Sequence, residues 1–110
     1  MPMIDRLEKE VDILYRHISV LEWVLKKEPI GILKMSKKTG YRQHKVRYSF
    51  RKLEEQNLIV PTRQGAVTTE KAKTFVEEFD ERNRTVREKL TRLNSGTKSE
   101  LDSLGLKHEK

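Results

Sequence analysis

Between Met3 and Lys27 the apolar residues Ile4, Leu7, Val11, Leu14, Ile18, Leu21 and Leu25 alternate in steps of three and four, with no glycine or proline between them. That spacing is a heptad seam and predicts one long helix. Ile4, Val11, Ile18 and Leu25 take the a positions and Leu7, Leu14 and Leu21 the d positions, a choice that favours two-helix packing when the strands are parallel. Val20, Trp23 and Val24 lie off the seam, so the second half of this helix needs a wider apolar contact and belongs to the domain core. Glu28-Pro29 ends the helix, because proline disfavours helical geometry in the residue before it and has no N–H to donate. A new element begins at Ile30 or Gly31. Residues 31–38 read as a short helix with Ile32 and Met35 inward and Lys34, Lys37 and Lys38 outward, closed by Gly40 as a left-handed residue.

From about Arg42 to Gln56 a helical step places Val46, Ser49, Phe50 and Leu53 on one side and His44, Arg47, Tyr48 and Arg51 on the other. With the short helix before it, this makes a helix-turn-helix. Leu58, Ile59 and Val60 then form a β-prone run, Pro61 suits an edge strand, and Arg63-Gln64-Gly65 supply a turn before Ala66, Val67 and Thr68. The hairpin is a small wing. Thr68 or Thr69 can cap a last long helix, with Glu70 in its first turn, where the helix dipole favours negative charge. Ala72, Val76, Phe79, Asn83, Val86, Leu90 and Leu93 give that helix a second heptad seam, and residues 94–110, with two glycines and three serines, read as a flexible tail. The fold class is therefore mainly α with a small β-hairpin: a winged helix-turn-helix flanked by long terminal helices. One domain is expected over residues 1–93, its core at 17–68 between the helices of 1–16 and 69–93.

Charge turns this architecture toward a partner. The chain of 110 residues carries a net +7, and residues 34–64 alone hold nine basic side chains against Glu54 and Glu55, which is the same +7. Outside that segment the charges cancel at fifteen of each sign. A localised positive field calls for a polyanion. Hydrophobic residues make up only 35% of the chain and charged ones 37%, so the core is small and a second copy of the chain would help complete it. The absence of cysteine excludes disulfides, thiol nucleophiles and thiolate metal sites, and with no signal-type or membrane-spanning apolar run the expected location is the cytoplasm.

A helix fits the major groove, where base edges present distinct donor and acceptor patterns. Gln43 and His44 at the start of the third helix and Arg47 one turn on are the candidates for base contact, while Lys45, Tyr48, Arg51 and Lys52 suit flanking phosphates and Arg42 joins the same DNA-binding set. Lys34, Lys37 and Lys38 fit the neighbouring backbone, and Arg63 and Gln64 a minor groove or phosphate at the wing tip. Tyr41 reads as a plug at the edge of the core, and His17 as a flank of the first seam. His17, His44 and His108 form no ligand cluster, so neither a metal nor a cofactor is implied. No phosphate loop or nucleophile–base pair appears, which argues against an enzyme. Ile4, Leu7, Val11 and Leu14, together with Val76, Phe79, Asn83, Val86, Leu90 and Leu93, form the seams expected to build a homodimer interface, where a polar Asn83 at an a position would fix register. The seams pair either within one chain or between two. A protein-interaction module and a sequence-neutral nucleic-acid binder are the competing readings.

The segment TGYRQHKVRYSFRKLEEQNLI, followed by a short wing and GAVTTEKAKTFVEEF, resembles the archaeal winged-helix predicted transcriptional regulators and the broader MarR-like and ArsR-like pattern, over about residues 17–80. The resemblance implies a dimer that binds double-stranded DNA at a two-fold site with residues 42–51 in the major groove. It gives no effector ligand and no target. The wing is shorter than in MarR-like proteins, and the cysteine or histidine sensor sites of metal-responsive relatives are missing.

Overall fold

The computed structural model describes residues 1–103 and contains six elements: α1 (Pro2–Lys27), α2 (Ile32–Thr39), α3 (Gln43–Glu55), β1 (Ile59–Thr62), β2 (Gly65–Thr68) and α4 (Lys71–Ser103). The described chain divides into two compact units, residues 1–75 and the residues from 76 on, with the division inside α4.

In the first unit the off-seam residues Val20 and Val24 of α1 are fully buried together with Leu21 of the seam, while Trp23 is half-buried. Around them close Met35 of α2, Val46, Phe50 and Leu53 of α3, and Leu58, Ile59, Ala66 and Ala72. Each large apolar side chain in this cluster contributes about 1.5–3 kcal/mol by leaving water. The first half of α1 buries nothing: Ile4, Leu7, Val11 and Leu14 remain 44–53% exposed.

β1 and β2 pair antiparallel from Ile59↔Thr68 to Thr62↔Gly65, leaving Arg63 and Gln64 as the loop. A third piece of sheet escapes the sequence pattern. Ile30 bridges to Ala66, with Ile30 N–H donating to the Ala66 carbonyl at 3.1 Å and Ala66 N–H donating back at 2.8 Å. Gly65 sits against this bridge at φ 134°, and a Cβ there would lie 2.4 Å from the Ile30 carbonyl carbon. Only glycine admits that approach. Glu28, at the end of α1, accepts from the Thr68 N–H at 2.7 Å and the Thr68 hydroxyl at 2.9 Å, tying α1 to the base of the wing.

That bond corrects the expected N-cap of α4. The Thr68 hydroxyl is turned to Glu28, and the Thr69 hydroxyl donates to the Asn57 carbonyl at 2.6 Å, so neither caps the helix that follows. Both threonines close the wing instead. The last helix also extends into the expected tail, past the Leu93 at which its sequence pattern ended. α4 continues helical to Ser103, ten residues past Leu93. Gly96 costs a helix only about 1 kcal/mol and the stretch has no proline, so its Lys, Glu and Leu residues suffice to extend the helix. The remainder of that tail, residues 104–110, lies outside the described residues. Within the second unit Val76 and Phe79 are half-buried, while Asn83, Val86, Leu90 and Leu93 are exposed.

Candidate nucleic-acid interface

The turn between α2 and α3 is fixed by short-range chemistry. Gly40 takes φ 82° and donates its N–H to the Ser36 carbonyl at 2.8 Å, closing α2 with a left-handed cap. The Ser36 hydroxyl donates to the Tyr41 carbonyl at 2.5 Å, and the Thr39 hydroxyl donates to the Met35 carbonyl at 2.8 Å while accepting the Tyr41 N–H at 3.2 Å. The chain therefore leaves α2 in a single direction. Tyr41 is half-buried, at the edge of the core. Arg42 stands at the N-cap of α3 in extended geometry, without a side-chain cap or an acidic residue in the first turn.

α3 divides as its periodicity predicts. Val46, Ser49, Phe50 and Leu53 are buried, and Arg42, Gln43, His44, Lys45, Arg47 and Arg51 are exposed. On one flank, Arg47, Arg51 and Glu54 rim a groove of about 470 Å³ floored by Phe50, Pro61 and Ala66, between α3, the wing and the start of α2. Lys34, Lys37 and Lys38 stand exposed on α2, and Arg63 and Gln64 are exposed at the wing tip. The wing is held rigid at that tip, where the Thr62 hydroxyl donates to the Gly65 carbonyl at 2.6 Å and accepts the Gln64 N–H at 3.2 Å. Its four-residue strands make the reach short.

Tyr48 and Lys52 depart from the exposed set. Both are half-buried, and the Tyr48 ring gathers Arg51 and Lys52 at 5.5 Å and Arg16 at 5.9 Å from its centroid, with the His17 ring tilted 40° against it at 5.6 Å. A ring in this position acts as a hub for cations. His17 accordingly faces α3, where the sequence pattern had placed it beside the seam. Its Nδ1 lies 2.7 Å from the Oγ of Ser49, which also accepts the Arg16 Nε–H at 3.1 Å. Burial, and then the charges of Arg16 and Lys52, hold the His17 pKa below its ordinary value. The neutral ring with its proton on Nε2 fits: the Ser49 hydroxyl donates to Nδ1 and accepts from Arg16. Ser49 is fully buried, so this pair of bonds satisfies a polar group inside the α1–α3 contact.

Among the described residues the ion pairs are Met1–Asp5 and Lys52–Glu55, each at 3.5 Å. The other basic side chains of α2, α3 and the wing have no carboxylate partner. Of the site residues expected from sequence, those on α2, α3 and the wing tip are thus exposed, except for the half-buried Tyr48 and Lys52. Sequence reasoning missed the contribution of α1: Arg16 and His17 join this surface through contacts 33 and 32 residues distant, which no local pattern announces. Among the described residues no three His, Asp or Glu side chains come together as metal ligands, and no helix is long and apolar enough to cross a membrane.

A helix-turn-helix whose third helix runs straight into a hairpin, with a single-residue bridge before α2 completing the sheet, is a winged helix. No protein-family model and no curated protein sequence matches the chain. Among solved structures, the fold is similar to that of MepR, a transcription regulator of the Staphylococcus aureus multidrug efflux pump MepA, with a TM-score of 0.53 over 91% of this chain and 86% of that one. The two are 19% identical, and what they share is the fold.

Proposed function

We propose that the protein is a transcription regulator that binds double-stranded DNA as a homodimer, with α3 in the major groove. The observation that carries this reading is the grouping of exposed, unpaired cations on both helices of the helix-turn-helix and at the wing tip. Clustered charge without counter-charge favours a polyanion over water. The likeness to MepR supports it from the side of the fold.

In this reading Gln43, His44 and Arg47 contact base edges, and Arg47 takes a guanine through two hydrogen bonds. Arg42, Lys45, Arg51 and Lys52 hold phosphates beside the groove, Lys34, Lys37 and Lys38 hold the adjoining backbone, and Arg63 and Gln64 reach from the wing. Tyr48 serves the phosphates indirectly, by holding Arg51 and Lys52 over its ring. The exposed seam residues Ile4, Leu7, Val11 and Leu14 of α1 and Val86, Leu90 and Leu93 of α4, continued by Val76, Phe79 and Asn83, supply the dimer interface. Two copies of α3 then read half-sites about one helical turn, or a multiple of it, apart. No catalysis and no cofactor enter the proposal.

Two substitutions separate reading from grip. Arg47→Ala is expected to cost about 1–3 kcal/mol on the preferred sequence and much less on random duplex, because its base contact is lost. Lys38→Ala is expected to weaken all sequences alike and to lower the salt dependence by about one charge. Fluorescence anisotropy with both duplexes over a salt series checks this, and equal losses for Arg47→Ala on the two duplexes would remove its reading role.

A further inference from the structure

We propose that the cleft between α1 and α3 is a phosphate-binding site, in which Lys9 and Arg16 of α1 take a backbone phosphate of the duplex alongside Lys45 and Arg51 of α3. The inference rests on the DNA reading above and extends it to a helix whose sequence pattern marks it only for packing.

The cleft measures about 540 Å³ and opens beside the exposed face of α3. Four permanent cations line it, from two elements, and Asp12 is its carboxylate. None of those cations is ion-paired, since the pairs among the described residues lie elsewhere. Charges of one sign so gathered repel each other, a cost that a bound anion reverses.

Arg16 is also a built feature rather than a loose side chain. Its Nε–H is fixed by the fully buried Ser49 hydroxyl, and its guanidinium lies over the Tyr48 ring. With Nε and one ring face committed inward, the terminal nitrogens remain for a partner in the cleft, and holding them in advance reduces the entropy lost on binding. The His17 ring next door is held low in pKa by burial first and then by the charges of Arg16 and Lys52, and the field of those two cations favours an anion beside it.

Helical geometry makes the site compatible with a dimer. Lys9 and Arg16 are seven residues, about two turns, apart and share one face of α1, whereas Ile4, Leu7, Val11 and Leu14 lie roughly half a turn around the helix from it. One face of α1 can be covered by a second chain while the other remains open to DNA.

Three exposed or partly exposed positions on one helix supply the test. Lys9→Gln and Arg16→Gln are each expected to make the slope of log affinity against log salt less negative by about 0.9 on duplex DNA of any sequence, while Lys27→Gln, the same charge change outside the cleft, leaves it unaltered. Lys9 is exposed and makes no hydrogen bond or ion pair, so its variant folds as the parent does. In parallel, sodium tripolyphosphate is titrated while the His17 and Tyr48 ring signals are followed by NMR. If Lys9→Gln and Arg16→Gln match Lys27→Gln while the parent keeps steep salt-dependent duplex binding, the inference fails and the DNA reading stands. If the parent binds no duplex even at low salt, both fail. If tripolyphosphate moves the ring signals in the parent but the duplex slopes never respond to Lys9 or Arg16, the cleft takes a free polyphosphate and the assignment to DNA is overturned.

Discussion

Gly65 carries more of the fold than its size implies. Its backbone lies at φ 134° with the Ile30–Gly31 backbone pressed against the place where a side chain would start. Gly65→Ala therefore adds a strained conformation to a collision with main chain, and it is expected to lower stability by about 2–4 kcal/mol, read as a fall in thermal midpoint of roughly 10 °C or more. Gly31→Ala, where a Cβ meets nothing within 4 Å, is expected to cost under about 1 kcal/mol. The turn role of Gly65 was legible in Arg63-Gln64-Gly65, but the close approach was not, because its other half lies 35 residues away at Ile30. Ser49 shows the same divide. Helical periodicity alone puts it on the inner face of α3, yet its partners Arg16 and His17 come from a different helix. Sequence reveals which way a side chain faces more readily than what it meets.

At the scale of elements, the helix-turn-helix was the most legible part, since every signal that makes it is local. The left-handed glycine at 40, the inward Met35, and the buried stripe of Val46, Phe50 and Leu53 all follow from spacing and backbone preference. What the pattern hid has equally plain causes. A one-residue bridge at Ile30 has no periodicity to display, and Thr68 and Thr69 resemble caps while their hydroxyls answer to Glu28 and Asn57. The length of α4 was understated because serines and a glycine near its end weaken a helix without stopping it. The α1 seam supplies this scale's prediction. Val11 and Leu14 are 52% and 44% exposed, so the double change Val11→Glu and Leu14→Glu is expected to leave helix content and thermal midpoint nearly unchanged. Sedimentation equilibrium is expected to show a dimer for the parent chain and a monomer for the variant, through like-charge repulsion and lost apolar burial. An unchanged mass would remove these residues from the interface.

For the whole molecule, the decisive property is where its charge lies. A net +7 spread evenly would favour solubility and little else, whereas here it equals the excess carried by residues 34–64. Folding brings that segment together on α2, α3 and the wing, and adds Lys9 and Arg16 from a helix the linear ledger counted as neutral ground. The candidate site was thus legible in its centre and illegible at its α1 edge. In the proposed function this surface reads duplex DNA with two copies of α3 related by two-fold symmetry. Selection of bound fragments from a pool of random duplexes, carried through several rounds with the full chain, tests it most directly. Enrichment of a quasi-palindromic motif whose halves are centred about 10 base pairs, or a multiple, apart is expected. Recovery of fragments with no shared motif, or no recovery at low salt, would contradict it.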